Sequence, residues 1–385
     1  MQEYKRKQKE DRPVLAICYD FDKTLSPNDM QAQGYIQKVG YENADDFWAK
    51  SNALAVSNEM DQNLAYMYQM MLEAQGTLLF TKETFEKYGS EVDLFPGVKE
   101  WFDRIRKYGD EKGIIVEHYI ISSGLKEMIE GTPVAKQFEK IYASSFYYSE
   151  RGVAIWPAQV VNYTNKTQFL FGIEKGVLDI NDPGVNDYFS PEKIRVPFRN
   201  MVYIGDSDTD VPCMKLVNAN GGHSIGVYNS KTQDKTKVYK MMREDRIKYF
   251  VPADYSEGSD IDTLLKMIID KTAANEKLEE LHNKHKDENT KADKLNSEDE
   301  QLKIDCIIDL ENSGSFARTH EVIEKLSKLK DWTNEQKEQL IRIALQNSQI
   351  SAILQDNDVK AFYKKILRKY ESDSESYQEM KELLS

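Results

Sequence analysis

The chain has 385 residues, of which 40% are hydrophobic, so it is long enough for two or three domains with sizeable cores. Its formal net charge of −13 argues against general nucleic-acid binding, because that function needs a basic surface. No apolar stretch is long enough to span a bilayer, and residues 1–12 are charged and lack the apolar segment of a secretory signal. The three cysteines lie far apart, which favours reduced thiols in a cytoplasmic protein over a disulfide framework or a zinc site.

The first predicted strand, residues 14–21, ends in acidic residues. Its apolar run leads directly into Asp20-Phe21-Asp22-Lys23-Thr24. The carboxyl end of a central strand is where open α/β sheets bind ligands, and two carboxylates packed there need a cation, a proton or a hydrogen-bond donor. The alternative is an exposed acidic turn that caps the next helix through Thr24 or Ser26.

Residues 29–93 predict a helical insertion. Aromatic, leucine and methionine residues recur there at helical spacing, and nothing alternates as it would in a strand. The stripe from Met60 to Leu72 is more typical of the core of this insertion than of a ligand site. A Pro-Gly turn within residues 94–98 then returns the chain to the main domain.

Predicted strands and helices alternate from this turn to residue 272. We expect helices at 99–108 and 125–138 and a third that begins within 163–167, capped by Thr164 or Asn165. We expect strands at 114–121, 140–148, 201–204, 224–228 and 249–255, a hairpin within 149–162, and an irregular stretch at 174–199. This alternation predicts an α/β fold with a doubly wound, Rossmann-like parallel sheet, formed by residues 13–28 and 94–272.

The C-terminal third has a different character. Residues 273–300 are strongly charged and predict a solvated linker or helix, whereas residues 301–371 have the apolar periodicity of a small all-helical domain. Residues 372–385 form a polar tail, and residues 1–12 form a charged lead-in. We expect residues 301–371 to be the segment that contacts a protein partner or a second copy of the chain, if either is bound.

Four polar segments follow strands or begin a helix, and a parallel sheet brings such segments to one edge. They carry Asp20 with Asp22, Ser122, Lys166, and Asp206 with Asp210. This set suits phosphoryl transfer from an anionic monoester, because Mg²⁺ held by carboxylates removes the repulsion between the ester and an attacking carboxylate. Lys166, the Ser122 hydroxyl and the Ser123 and Gly124 backbone can neutralise or hydrogen-bond the phosphoryl oxygens.

Together, Asp20-Phe21-Asp22-Lys23-Thr24, the Ser122 turn, Lys166 and Gly205-Asp206-Ser207-Asp208-Thr209-Asp210 resemble the four motifs of the haloacid dehalogenase-like (HAD) hydrolase superfamily. The resemblance covers residues 13–272. It implies that Asp20 is the nucleophile and Asp22 the general acid and base. It also implies that Ser122 and Lys166 bind the phosphoryl group.

The same resemblance implies a metal site. Mg²⁺ would be held by the carboxylate of Asp20, the backbone carbonyl of Asp22 and Asp206, with Asp210 at or near the site. Lys23 departs from the glycine that is common at that place in the superfamily, and adds a cation beside the site.

The presence of Asp22 argues for a phosphatase or phosphotransferase, because halide-displacing members do not need that acid. The insertion at 29–93 occupies the position of a helical cap and resembles the phosphoserine-phosphatase-like branch. We therefore expect a Mg²⁺-dependent phosphoric monoester hydrolase for a small phosphorylated substrate, with an aspartyl-phosphate intermediate. The alternatives are a phosphotransferase or phosphomutase of the same fold, and a regulatory binding protein that uses its C-terminal helical domain.

Overall fold

The computed structural model describes residues 4–368 and 370–385, with the side chains of 291–297 left out. The chain forms two compact units, Met1–Leu278 and Glu279–Ser385. Among the residues that the structure describes, no helix combines the length and the apolar composition needed to cross a membrane.

The first unit is built on a seven-stranded sheet. The strands are β1 (Val14–Tyr19), β2 (Ile115–Leu125), β3 (Lys140–Tyr148), β4 (Ala154–Gln159), β5 (Met201–Gly205), β6 (His223–Tyr228) and β7 (Tyr249–Pro252). They lie in the order β4-β3-β2-β1-β5-β6-β7, and all neighbours are parallel except the β3–β4 hairpin. The chain leaves β1 on one side to build β2 to β4 and continues on the other side with β5 to β7. The switch point therefore lies between β1 and β5, the position at which such sheets bind ligands.

Helices cover both faces of this sheet, because both faces of β1 are apolar. Leu15 and Ile17 face one buried cluster, whereas Ala16 and Cys18 face another. The helices that pack on the sheet are α5 (Val98–Glu111), α6 (Lys126–Gly131), α7 (Lys166–Lys175), α8 (Val211–Ala219), α9 (Thr236–Arg243) and α10 (Asp260–Glu311). The predicted α/β fold with a doubly wound sheet is confirmed.

One helix of the sheet is shorter than its sequence pattern predicts. Helix α6 ends at Gly131, and only a 3₁₀ turn at Ala135–Gln137 follows, where the sequence predicts a single helix over 125–138. Thr132 precedes a proline and adopts an extended backbone with ψ of 153°. A residue before proline is pushed out of the helical region by contact with the proline ring, and this contact ends the helix.

The insertion between β1 and α5 contains helices throughout. They are α1 (Tyr35–Lys38), α2 (Ala44–Ser57), α3 (Gln62–Ala74) and α4 (Lys82–Ser90), preceded by a 3₁₀ turn at Met30–Ala32. Asn43, Asp61 and Thr81 cap α2, α3 and α4 with their side-chain oxygens. Tyr66, Met67 and Met70 of α3 are buried in the same apolar cluster as one face of the sheet. Part of the methionine and tyrosine stripe therefore packs in the core, whereas Tyr68 and Leu72 are exposed and Met60 lines a cavity.

Residues 4–12 are held against the first unit by ion pairs. Arg6 bonds the buried Asp182 at 2.6 Å, and Lys7 bonds the buried Glu117 at 2.5 Å. Arg195 also contacts Glu117, at 2.7 Å. These pairs connect the lead-in to the irregular stretch 174–199 and to β2.

The second unit is all-helical. Within it lie the end of α10, then α11 (Phe316–Lys328), α12 (Asn334–Gln346), α13 (Ser348–Ala352), α14 (Asn357–Leu367) and α15 (Glu375–Leu384). Its apolar cluster extends from Cys306 to Leu384, so this unit has a core of its own. Helix α10 is continuous through 273–300, and helix α15 lies in the segment predicted to be a polar tail.

Candidate active site

The first acidic motif forms a tight turn at the carboxyl end of β1. The Asp20 amide donates to the Ile204 carbonyl at 2.9 Å, which extends the pairing of β1 with β5 by one residue. The carbonyl of Phe21 then accepts hydrogen bonds from the amides of Thr24, Leu25 and Ser26. This turn leaves Asp20 only 7% exposed, at the switch point of the sheet.

Lys166 lies directly beneath Asp20. It is the first residue of α7 and is fully buried, with its Nζ 2.7 Å from Asp210 Oδ1 and 3.4 Å from Asp20 Oδ1. The Tyr203 hydroxyl donates to the same oxygen of Asp210 at 2.9 Å. A buried ammonium group shared by two buried carboxylates places one positive charge under the predicted nucleophile.

Three carboxylates surround one point above this lysine. Oxygen atoms of Asp20, Asp206 and Asp210 all lie within 4.8 Å of one another. Gly205 makes this approach feasible, since a Cβ atom there would lie 2.5 Å from Asp210 Oδ2. The buried Lys166 contacts Asp20 and Asp210 but not Asp206, so the three acids carry more negative charge than this cation balances.

The pKa values of these acids reflect that imbalance. Burial, with the repulsion of Asp210, raises the pKa of Asp20 to about 6, although Lys166 opposes the shift. Burial and the repulsion of Asp210 and Asp20 raise the pKa of Asp206 to about 7. Lys166 is buried as well, but its two carboxylate partners still raise its pKa above the ordinary value. The cluster therefore favours any added positive charge, whether a proton or a metal ion.

Asp22 lies outside this group of carboxylates. Its Oδ1 accepts a hydrogen bond from the Met30 amide at 2.8 Å. Burial and the repulsion of Asp29 and Asp20 raise its pKa well above the ordinary value. The Asp22 carboxyl therefore favours its protonated form, which suits a general acid.

The segment Ser122–Gly124 lies at the end of β2, beside Asp20. The Ser122 hydroxyl is buried and accepts from the Gly124 amide at 3.2 Å, and its hydrogen bond helps to stabilise the Asp20 carboxylate. A Cβ atom at Gly124 would lie 2.6 Å from Cε of Met30 and 3.0 Å from Oδ2 of Asp22, so a side chain there would require Met30 to move. The backbone of this segment can therefore approach a ligand closely.

A cavity of about 500 Å³ opens above these groups. Asp20, Asp22, Ser122, Ser123, Gly124 and Asp206 line its floor. The insertion contributes residues 60–63, and the loop before α7 contributes Asn162 and Tyr163. Lys166 is buried and is not among the residues that line this cavity, and its ammonium group contacts Asp20 from below.

Hydrogen bonds connect the insertion with the loops of the sheet, among them one from the Asn63 side-chain amide to the Val161 carbonyl at 2.8 Å. The Tyr66 hydroxyl donates to the Ser123 carbonyl at 2.8 Å, and Asn162 donates to Asp61 Oδ2 at 2.8 Å. The position of the insertion is thus coupled to the segment predicted to bind phosphate.

The sequence predicts the residues that form the floor of the cavity but not several residues that hold them in place. Tyr203 holds Asp210, and Tyr66 holds the Ser123 carbonyl. Both lie within apolar patterns that predict only core packing, so no local signal marks them. Lys237 is a further case: its Nζ lies 3.6 Å from Asp206 Oδ2, and a lysine near the start of a helix is not distinctive in sequence.

No family model matches the chain. An uncharacterized protein of Borreliella burgdorferi is 26% identical over 280 residues, which covers 64% of this chain and 93% of that protein.

The solved structures that resemble the chain include a HAD family hydrolase from Salmonella enterica serovar Typhi, at 16% identity and a TM-score of 0.45, over 68% of this chain and 73% of that one. They also include a probable phosphoserine phosphatase from Vibrio cholerae, at 14% identity and a TM-score of 0.43, over 69% of each chain.

Proposed function

We propose that the protein is a Mg²⁺-dependent phosphohydrolase that acts on a small phosphate monoester through an aspartyl-phosphate at Asp20. One observation carries the proposal. The Asp20 carboxylate lies at the floor of a cavity, 3.4 Å from a buried lysine and within 4.8 Å of oxygens of Asp206 and Asp210. A carboxylate that faces an open cavity and is flanked by further acids is suited to attack phosphorus only if cations offset its charge.

The donor set fits a magnesium ion. Hard cations prefer carboxylate and carbonyl oxygens, and the raised pKa values of Asp20 and Asp206 indicate that this cluster lacks counter-charge. The carboxylates of Asp20 and Asp206 and the backbone carbonyl of Asp22 would hold the ion, with Asp210 beside them. When bound, Mg²⁺ neutralises the phosphoryl group and the nucleophile so that they can approach each other.

The residues of the chain then have distinct tasks. Lys166 keeps Asp20 ionised and oriented, because its ammonium lies below the carboxylate. The Ser122 hydroxyl and the amides of Ser123 and Gly124 donate to the phosphoryl oxygens, for which the hydroxyl exchanges its bond to Asp20 and the Gly124 amide its 3.2 Å bond to Ser122 Oγ. Asp20 attacks phosphorus while protonated Asp22 gives its proton to the leaving oxygen. Asp22, now ionised, takes a proton from the water that hydrolyses the aspartyl-phosphate and releases inorganic phosphate.

The Asp206→Ala variant tests the metal site. We expect the Mg²⁺ concentration for half-maximal aryl-phosphate hydrolysis to rise by at least about tenfold, since even groups that only support a metal ligand change affinity by 10–100-fold. Asp208→Ala is the matched control, because Asp208 lies two residues away but its carboxylate is exposed and pairs with Lys240 and Arg246. An unchanged Mg²⁺ titration for Asp206→Ala would remove Asp206 from the metal site.

The effect of Mg²⁺ on thermal stability is expected to depend on pH. The pKa values of Asp20 and Asp206 rise from 3.8 to about 6 and about 7 on folding, so protons stabilise the metal-free protein at low pH and this contribution is lost as pH rises through 6 to 7. Mg²⁺ should therefore raise the Tm more at about pH 8 than at about pH 5.5, where protons compete with it. Melting curves with and without Mg²⁺ at each pH measure this difference, and an equal increase at both would contradict the account.

A further inference from the structure

The cavity above Asp20 continues past Asp206. A second cavity of about 200 Å³ shares Lys23, Asp206 and Lys237 with the first. Its other walls are the end of β6 with Tyr228, the loop that follows with Asn229, Thr232 and the acid Asp234, and the start of α9 with Val238. A ligand with its phosphoryl group at Asp20 can therefore extend between Lys23 and Lys237.

Lys237 is held only loosely at this position. Its side chain is 64% exposed, and its contact with Asp206 Oδ2, at 3.6 Å, is too long for a hydrogen bond. Asp206 is also a proposed metal ligand, so in the loaded enzyme Lys237 shares that carboxylate with a divalent cation. Asp234 is the other acid that interacts with Lys237, and its Oδ1 already accepts from the Thr236 amide at 2.9 Å.

Lys23 faces the same space from the acidic motif. Its Nζ pairs with Asp29 at 2.9 Å and its side chain is 47% exposed. Its φ of 57° is left-handed, a conformation that glycine adopts without strain and lysine does not. The chain thus has an ammonium group at a position where the backbone favours glycine, and strain of this kind is typical of functional sites.

Two further acids that line the first cavity, Asp29 and Asp61, already have partners. Asp29 pairs with Lys23, whereas Asp61 caps α3 and accepts from Asn162. The negative charge of Asp29 and Asp61 is therefore partly compensated. Of the two lysines that line both cavities, Lys237 has the longer contact with a carboxylate, 3.6 Å against 2.9 Å for Lys23.

We propose that Lys23 and Lys237 form a second anion-binding subsite, so that the substrate is a phosphate monoester with a second anionic group, a carboxylate or a phosphate, on its leaving portion. The inference rests on the proposed function, because the phosphoryl end must occupy the Asp20 site. The second anion lies between the two ammonium groups, where the side-chain amide of Asn229 can donate to it, as can the Thr232 hydroxyl once it gives up its 3.3 Å bond to the Asn229 carbonyl.

Phosphonates test the subsite without turnover. In the presence of Mg²⁺, the full-length chain is titrated calorimetrically with phosphonopropionate, which has a carboxylate, and with propylphosphonate, which has none. The same comparison is made between phosphonobutyrate and butylphosphonate. In the wild type, the carboxylate-bearing ligand of at least one pair should bind about tenfold more tightly or better. Lys237→Met should reduce that preference to about threefold or less, and Lys23→Gly, which suits the left-handed backbone, should also reduce it.

Lys240→Met is the control, because Lys240 lies on the same helix and pairs with Asp208 away from both cavities. This variant should keep the preference. Equal affinities within each pair for the wild type, or a full preference in Lys237→Met, would overturn the subsite while leaving the phosphohydrolase proposal intact. Failure of every phosphonate and of inorganic phosphate to bind in the presence of Mg²⁺ would overturn both.

Discussion

The Asp20→Asn variant is expected to hydrolyse an aryl phosphate with kcat lowered by about 10⁴-fold or more, the scale of effect seen when a catalytic nucleophile is removed. The amide oxygen of asparagine is a poor nucleophile, although the side chain has the same size. Stability should not fall, because burial and neighbouring acids already disfavour the charge of Asp20 and Lys166 keeps its 2.7 Å contact with Asp210.

Steady-state kinetics and a thermal melt of the same preparation measure this prediction. Asp208→Asn is the matched control, because it removes an exposed carboxylate from the other acidic motif and should retain activity. Substantial activity in a folded Asp20→Asn protein would exclude Asp20 as the nucleophile.

Replacing Lys166 should have the largest effect on stability. Lys166→Met keeps the length and the apolar stem but leaves two buried carboxylates without their shared ammonium group. Loss of one partner from a buried ion pair costs about 3–5 kcal/mol of the free energy of unfolding. Activity should fall as well, because Asp20 would be less ionised.

Urea unfolding of the wild type and of Lys166→Met measures this free energy. Lys240→Met is the control, since its ion pair is exposed and such pairs contribute about 0–1 kcal/mol. An equal, small loss in both variants would show that Lys166 does not supply the counter-charge of the acidic cluster.

The floor of the site could be predicted from sequence because each of its parts is tied to a strand end. A buried apolar strand fixes where Asp20 emerges, and parallel pairing brings the ends of β2 and β5 to the same edge. Lys166 carried the weakest signal, yet its place at the first turn of α7 puts it beneath Asp20. The doubly wound sheet followed from the same alternation of strands and helices.

Other features depend on contacts between distant segments and have no local pattern. Tyr66 and Tyr203 lie in apolar stretches, and only the folded chain shows that their hydroxyl groups hold the loops of the site. The pairing of Arg6 with Asp182 joins residues 176 apart, so the charged lead-in gave no indication of it. The early end of α6 could have been predicted from the sequence, because Thr132 precedes a proline.

The roles of the second unit and of a protein partner stay predictions. The unit has an apolar core of its own, from Cys306 to Leu384, so residues 279–385 are suited to be tested as a separate partner-binding segment.

Identification of the phosphorylated residue tests the central claim most directly. The wild-type chain is mixed with Mg²⁺ and an aryl phosphate, quenched in acid during turnover, treated with borohydride, which reduces an acyl phosphate to the alcohol, and analysed by peptide mass spectrometry. The account predicts conversion of Asp20 to homoserine in a fraction of the wild-type chains and none in Asp20→Asn. Phosphate release at the full rate with Asp20 unmodified, or modification of another residue instead, would contradict it.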